Sequence, residues 1–212
     1  MDETAVGVAA VEEVGPDTVA VEFESPPEFE ARPGQFVKIT MAVDGESEPR
    51  FYTISSPDVE GTFEVTVGID PEGAVSPQLR SLAAGDELPV SGPFGNAYYE
   101  GESCVVVLAG GPGVGPAVGI AERALADGNR AAVVYRDETP VHERRLAAIA
   151  DGGAAVSVLA PGDSLTAAVA EALADAEAQV FVYGFADFLD DATAAIEAAG
   201  GNPETAKVEN FG

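Results

Sequence analysis

The sequence predicts two architectures in series: a small antiparallel barrel or sandwich, expected as a Greek-key β barrel, over residues 1–99, then a doubly wound parallel-sheet α/β unit over residues 100–212. Three observations predict it. Up to about residue 100 apolar and polar residues alternate; beyond that point the apolar runs are continuous; and alanine-rich helical stretches separate those later runs. Alternation marks strands with one wet face. Uniformly apolar strands between helices mark a parallel sheet covered on both sides.

In the first regime "DTVAVEFES" (17–25) turns Val19, Val21 and Phe23 to one side. "TFEVTVGI" (62–69) does the same with Phe63, Val65, Val67 and Ile69, leaving Glu64, Thr66 and Gly68 on the other face. The Pro/Gly-rich turns "PPEFEARPGQ" and "SGPFG" separate such strands. "VSPQLRSL" (75–82) is the one short helix expected here. After "YYEGES" come the strands "CVVVLA", "AAVVY", "AVSVLA" and "VFVYG". Helices are expected over 114–127, 140–150, 164–176 and 187–199, with Gly128, Gly152 and Gly200 as C-terminal stops.

Composition narrows the function classes. The chain has 212 residues, 37 acids and 10 bases, for a net charge of −27. Only Lys38 and Lys207 are lysines. Such a field excludes a nucleic-acid partner. The acids are interleaved with apolar runs, so the charge belongs to a folded surface rather than a disordered tail. Self-repulsion of that surface is screened within about 10 Å at 0.1 M salt and about 3 Å at 1 M, which points to a salt-loving host. One cysteine, Cys104, rules out a disulfide framework, a zinc cluster or a four-cysteine iron–sulfur site in this chain, and reads as a core thiol. One histidine, His142, is expected on the surface. "MDETAVGVAA" carries acids where a signal peptide needs a basic start, and no apolar run approaches a membrane span. A cytoplasmic protein without a membrane span is therefore expected.

Two stretches carry chemistry. "RFYTISSP" (50–57) sets a cation, two aromatics and a row of hydroxyls on one strand, a mixture that core packing does not require. "AGGPGVGPAVG" (109–119) places glycines at 110, 111, 113 and 115 where the first α/β strand meets its helix, so free amides can meet an anion there. It is neither a Walker loop nor the usual dinucleotide fingerprint, because Pro116 stands where the third glycine belongs. A tight strand-to-helix turn would use the same glycines.

Taken in order, "PGQFV", "RFYTISSP", "GAVSPQL", "GDELPVSGPFG", "AGGPGVGP" and "VENFG" resemble the ferredoxin–NADP⁺ reductase superfamily of flavoprotein oxidoreductases, over nearly the whole chain. The family's Arg-x-Tyr-Ser/Thr-x-x-Ser signature is present as Arg50, Tyr52, Thr53 and Ser56. The resemblance implies a flavin-binding barrel followed by a pyridine-nucleotide-binding α/β domain. It also implies that Arg50 pairs with a flavin pyrophosphate, that Phe51 and Tyr52 line the ring site with Tyr52 against the isoalloxazine, and that Thr53 sits near N5. Gly73, Ala74, Val75 and Ser76 would face the pyrophosphate, which favours FAD over FMN. Gly111, Gly113 and Val114 would meet the nicotinamide nucleotide's pyrophosphate. Arg136 is the one base near the position that separates NADH from NADPH, and Asp137 and Glu138 beside it favour NADH. Relatives carry Cys-Gly-Pro where this chain has Tyr183, Gly184 and Phe185, so the nicotinamide would pack against Tyr183 and Gly184 or meet an altered pocket. Glu209 and Phe211 match a Glu-x-aromatic beside the flavin. Tyr98 and Tyr99 could stack on an adenine or pack between domains.

The implied function is an FAD-dependent oxidoreductase that moves hydride between NAD(P)H and flavin and passes electrons to a separate acceptor protein such as a ferredoxin. It would act alone or as the reductase subunit of a larger complex. The alternative is a flavin-binding electron-transfer or sensor subunit whose nicotinamide chemistry is degraded at Tyr183.

Overall fold

A computed structural model describes residues 1–174 and 177–212. Its first half is six antiparallel strands: β1 (Thr4–Gly15), β2 (Thr18–Glu24), β3 (Phe36–Val43), β4 (Glu46–Thr53), β5 (Thr62–Gly68) and β6 (Glu87–Phe94), with helix α1 (Ser76–Arg80) before β6. The strand order is β4-β3-β6-β1-β2-β5, so β6 returns to lie between two earlier hairpins in Greek-key fashion. An antiparallel bridge between Ile54 and Val65, with the Ser55 amide donating to the Glu64 carbonyl at 2.7 Å, closes the ends into a barrel. The β3–β4 hairpin turns on Asp44 and Gly45, both at positive φ (52° and 85°), as a two-residue connection demands. Val21, Phe23, Val37, Ile39, Phe63 and Val65 fill the interior, and the Phe23 and Phe63 rings stack at 5.3 Å.

The second half alternates β7 (Cys104–Gly110), α2 (Val114–Ala126), β8 (Arg130–Arg136), α3 (Glu143–Asp151), β9 (Ala155–Leu159), α4 (Leu165–Ala172), β10 (Gln179–Gly184), α5 (Ala186–Ala198) and β11 (Lys207–Asn210). The sheet is wholly parallel in the order β11-β10-β7-β8-β9. Strand residues of alternating parity feed two cores. Val105, Val107, Phe181 and Tyr183 pack with α2 and α3, whereas Val106, Leu108 and Val182 pack with α4 and α5. Buried Cys104 opens β7, a core position as expected.

Several local expectations shift. Helix α3 starts at Glu143 rather than 140, because His142 takes a left-handed conformation (φ 56°) that a helix cannot include. Its stop is Gly153 at φ 101°; Gly152 keeps helical angles. Gly128 and Gly200 are left-handed stops as read from the sequence. The expected helix over 164–176 is realised as α4, and residues 175 and 176 lie outside the described residues.

The two halves meet along the polar face of β5. A side chain on Gly115 would place its Cβ 2.5 Å from the hydroxyls of Ser55 and Thr66, and one on Gly119 would place it 2.6 Å from the Ser55 carbonyl. One turn of α2 apart, these two glycines let helix and strand touch. The surface expectation for His142 is overturned here: the imidazole is buried in this seam, bonded through Nε2 to Thr66 Oγ1 at 2.8 Å.

Candidate functional site

The sheet order of the α/β half reverses at β7, between β8 and β10, and ligands of open parallel sheets bind at the carboxyl ends of the strands beside such a reversal. A cavity of about 330 Å³ lies at that position. One wall is barrel: Phe51, Tyr52 and Thr53 at the end of β4, and Thr66 to Asp70 at the end of β5. The other comprises Pro112 and Pro116 from the glycine-rich turn, Phe185 just after β10 and Phe211 just after β11. The walls are mainly apolar and aromatic.

Two of those aromatics are exposed in a way that packing does not explain. Phe51 is 62% accessible and Phe185 is 52% accessible. Phe185 meets Phe211 edge-to-face at 6.0 Å, and the Phe211 amide donates to the Gly184 carbonyl, which ties the last aromatic to the end of β10. Tyr52 is half-buried against the barrel core. Burial pushes its phenol up to about 12, against the pull of Arg50, so it stays protonated at neutral pH. Thr53 is buried at the inner end of β4.

Arg50 lies on the same strand parity as Tyr52 but outside the cavity wall, exposed and bonded to Glu48 Oε2 at 3.0 Å and the Pro49 carbonyl at 2.8 Å. An exposed pair of this kind holds its cation weakly. Gly73 to Ser76 form a turn built on Asp70: the Gly73 amide donates to the Asp70 carbonyl, and Ser76 Oγ accepts from the Asp70 amide at 3.0 Å. Ser76 is therefore the first residue of α1 with its hydroxyl already engaged, Val75 is buried in the barrel core and Ala74 is exposed.

Of the glycines, Gly111 alone in this turn has left-handed angles (φ 56°) with open space where a side chain would stand. Gly113 is filled from behind by the Tyr183 carbonyl, and Val114 is fully buried. Gly110 and Gly184 make room for the Phe188 ring, with a Cβ on Gly184 falling 2.8 Å from it. Most of these glycines thus serve packing, and Gly111 is the one presented outward. Arg136 lies at the end of β8, 5.3 Å over the Phe188 ring and bonded to Asp191 Oδ2 at 2.6 Å. Neighbouring Asp137 spends its carboxylate on the Tyr135 hydroxyl and the Thr139 amide.

Tyr183 is displaced from its expected role. It is fully buried between the halves, its hydroxyl donates to the Ala97 carbonyl, and burial raises its phenol far above the ordinary range. A side chain enclosed on every side cannot face a nicotinamide ring; the aromatic presented at the strand end is Phe185. The parity of β10 holds the signal, because Phe181 and Tyr183 share the inward face and Phe185 is the first residue past the strand. Glu209 stands apart from the cavity wall, near Gly95, with its carboxyl pushed up by burial. Tyr99 is buried and accepts from Asn129 at 2.7 Å, while Tyr98 lies under Arg32 and Lys207, so both are engaged within the protein.

Sequence reading missed the seam behind the cavity. Ser55 Oγ, Thr66 Oγ1 and His142 Nε2 form a buried chain with both links at 2.8 Å. Arg145 on α3 reaches Glu64 (2.8 Å), the Ser55 carbonyl (2.7 Å) and Glu122 on α2 (2.7 Å). Among the described residues no group of His, Cys, Asp and Glu could hold a metal ion. Among the described residues no helix is long and apolar enough to cross a membrane.

Residues 5–99 match the family described as "Oxidoreductase FAD-binding domain". The glycine betaine monooxygenase reductase subunit of Pseudomonas aeruginosa is 43% identical over 97 residues, covering 44% of this chain and 26% of that protein. NADH-cytochrome b5 reductase 1 of Eremothecium gossypii is 34% identical over 113 residues, covering 50% of this chain and 39% of that one. The chain thus aligns with well under half the length of these relatives. The flavohem-like FAD/NAD binding domain of nitric oxide dioxygenase from Vibrio cholerae has the same fold, with a TM-score of 0.83 at 19% identity and full coverage of both chains. The family match is confined to the barrel, and the likeness to solved structures extends the same fold over the α/β half.

Proposed function

We propose that the barrel holds FAD at the cavity, that the carboxyl edge of the parallel sheet presents a nicotinamide nucleotide to it, and that the chain is an NAD(P)H-dependent flavin oxidoreductase serving a separate acceptor protein. The observation that carries this reading is the meeting, in one cavity, of the β4 segment Phe51–Thr53 with the switch-point residues Pro112 and Phe185. Tyr52, Phe185 and Phe211 all line that cavity and would offer aromatic surface to a flat ring held there. Those residues fit the group: the aromatics stand exposed at the cavity and the walls are apolar.

Bound FAD supplies the hydride-accepting chemistry, and the protein supplies alignment and electrostatics. Tyr52 stays neutral and offers a face, Thr53 offers a hydroxyl at the inner end, and Phe211 screens the site from water. Arg50, now paired with Glu48, would hold the pyrophosphate through a charge-assisted contact of about 1.5–3 kcal/mol. The amides of Ala74, Val75 and Ser76 and that of Gly111 are the candidates for the two anionic groups, the Gly73 amide being engaged by the Asp70 carbonyl. Glu209, drawn up by burial, stands outside the cavity wall, so no proton-transfer role is assigned to it.

NADH is the favoured reductant. Arg136 is the base at the end of the second parallel strand, and Asp191 already neutralises it. A 2′-phosphate would have to displace that carboxylate amid Asp137 and Glu138. A binding-only or sensor subunit is the reading favoured by loss of the family thiol at residue 183, but a buried Tyr183 fills that position with packing and leaves the cavity intact. The relatives' names suggest an oxygenase or a cytochrome as acceptor. Flavin-loaded protein mixed anaerobically with NADH tests the reading: bleaching within seconds supports it, and an unchanged spectrum with both NADH and NADPH favours the binding-only subunit.

A further inference from the structure

His142 is the only histidine of the chain, is buried, and adopts a left-handed backbone, which is uncommon for residues other than glycine although histidine takes it more often than most. Backbone outliers that the surrounding structure over-determines tend to accompany function. The contacts of its neighbours give the outlier a purpose. Glu64, Thr66 and Gly68 occupy alternate positions on the outward face of β5, and each meets the α/β half in turn. Arg145 binds Glu64 at 2.8 Å, His142 binds Thr66 at 2.8 Å, and a Cβ on Gly68 would lie 3.9 Å from the Pro112 ring. The first two contacts are polar and directional; the third is in the cavity wall, beside Gly111. Close approach at Gly115 and Gly119 leaves no slack between helix α2 and the Ser55–Ser56 segment. Sliding the α/β half along β5 would strain the Thr66–His142 and Glu64–Arg145 contacts as Pro112 moves relative to Thr53.

We infer that His142 is a positioning residue for nucleotide-to-flavin transfer: by gripping the Thr66 hydroxyl it sets the register of the α/β half on β5, and so the gap between the Gly111–Pro112 wall and the Tyr52–Thr53 wall. The inference rests on the flavin and nicotinamide reading given above. Misplacement of reacting groups by about 1 Å can cost two orders of magnitude in rate, so a loosened seam reads out in transfer rather than in flavin retention.

The test uses the full flavin-loaded chain carrying His142→Ala or His142→Gln, the latter keeping a long side chain with polar groups to reach Thr66. Three quantities are measured: flavin affinity by equilibrium dialysis, the anaerobic bleaching rate at saturating NADH, and amide exchange at Thr66 and Gly115. His142→Ala should slow bleaching by about tenfold or more with flavin affinity unchanged, and speed the two exchange rates by about tenfold. His142→Gln should recover most of both. If His142→Ala does not fold, His142→Leu, which fills the space without the hydrogen bond to Thr66, must give the same signature. An unchanged bleaching rate overturns the inference, even if exchange speeds up, because the seam would then be structural only. A wild-type chain that no nicotinamide nucleotide bleaches refutes the functional reading instead; exchange that stays slow in His142→Ala refutes the seam whichever way the redox test falls.

Discussion

His142 and Tyr183 show how far a side chain's surroundings can depart from its neighbours in sequence. Flanked by Val141 and Glu143, His142 reads as solvated, yet it is buried against Thr66 with Arg145 on its own helix, and burial followed by that cation draws its pKa down to about 4. Glu143, Arg144 and Arg145 from α3, Glu64 from β5 and Glu12 and Glu13 from β1 surround it. The folded imidazole therefore stays neutral while the unfolded one protonates near 6.5, so lowering the pH from about 6.5 towards 4 removes stability, by about 3 kcal/mol in the limit. Because no other histidine exists, proton NMR reads this titration directly: a midpoint near 4 is expected, and one near 6.5 would mean that the ring is solvated. Arg50→Ala should weaken FAD binding by about tenfold or more, the worth of one charged hydrogen bond, as measured by dialysis. Asp191→Ala frees Arg136 and should raise affinity for 2′,5′-ADP by about fivefold or more, while leaving 5′-AMP unchanged. The mixture of Arg50, Tyr52 and Thr53 is odd for a strand and drew notice to β4, of which Tyr52 and Thr53 line the cavity and Arg50 stands outside it. Tyr183 misled because a motif position names a backbone location, whereas strand parity decides where the side chain points.

At the scale of elements, periodicity carried the reading and close approach did not. Alternation in 62–69 assigns Glu64, Thr66 and Gly68 to one face of β5 correctly, but nothing local says that this face meets a helix rather than water. The glycine-rich turn was ambiguous for the same reason. An anion loop and a tight helix contact both call for missing side chains, and only the three-dimensional neighbours show that Gly113, Gly115 and Gly119 serve the second purpose. Helix limits moved by a few residues wherever backbone conformation, as at His142 and Gly153, overrode composition. Gly119→Ala separates packing from propensity. Alanine gains about 1 kcal/mol in helix preference, but its Cβ would meet the Ser55 carbonyl oxygen at 2.6 Å and that of Ser56 at 3.0 Å, both backbone atoms that cannot swing away. The clash wins: denaturant unfolding should show a net loss of about 1–3 kcal/mol. Gly162→Ala, with no atom within 4 Å of the new carbon, should stay within about 0.5 kcal/mol of wild type.

The whole molecule is governed by a charge of −27. Among the described residues seven bases form ion pairs, with nine acids between them, so most of the 37 acids face water without a cation. Compaction then works against self-repulsion that salt relieves, and the melting temperature should climb as KCl rises from about 0.1 M to about 1 M. A melting temperature indifferent to KCl would contradict a salt-adapted surface and leave the cavity chemistry untouched. Two-part architecture was the most legible property of all, because the change from alternating to continuous apolar runs spans whole strands and survives local error. What the sequence could not supply was the relation between the parts, which rests on the β5 seam and creates a cavity that neither half has alone. The direct test of that cavity is anaerobic titration of the FAD-loaded chain with NADH in molar KCl. Stoichiometric loss of the flavin's visible absorbance within seconds is the predicted result; a chain that refuses FAD, or holds it while neither NADH nor NADPH alters the spectrum over an hour, would contradict it.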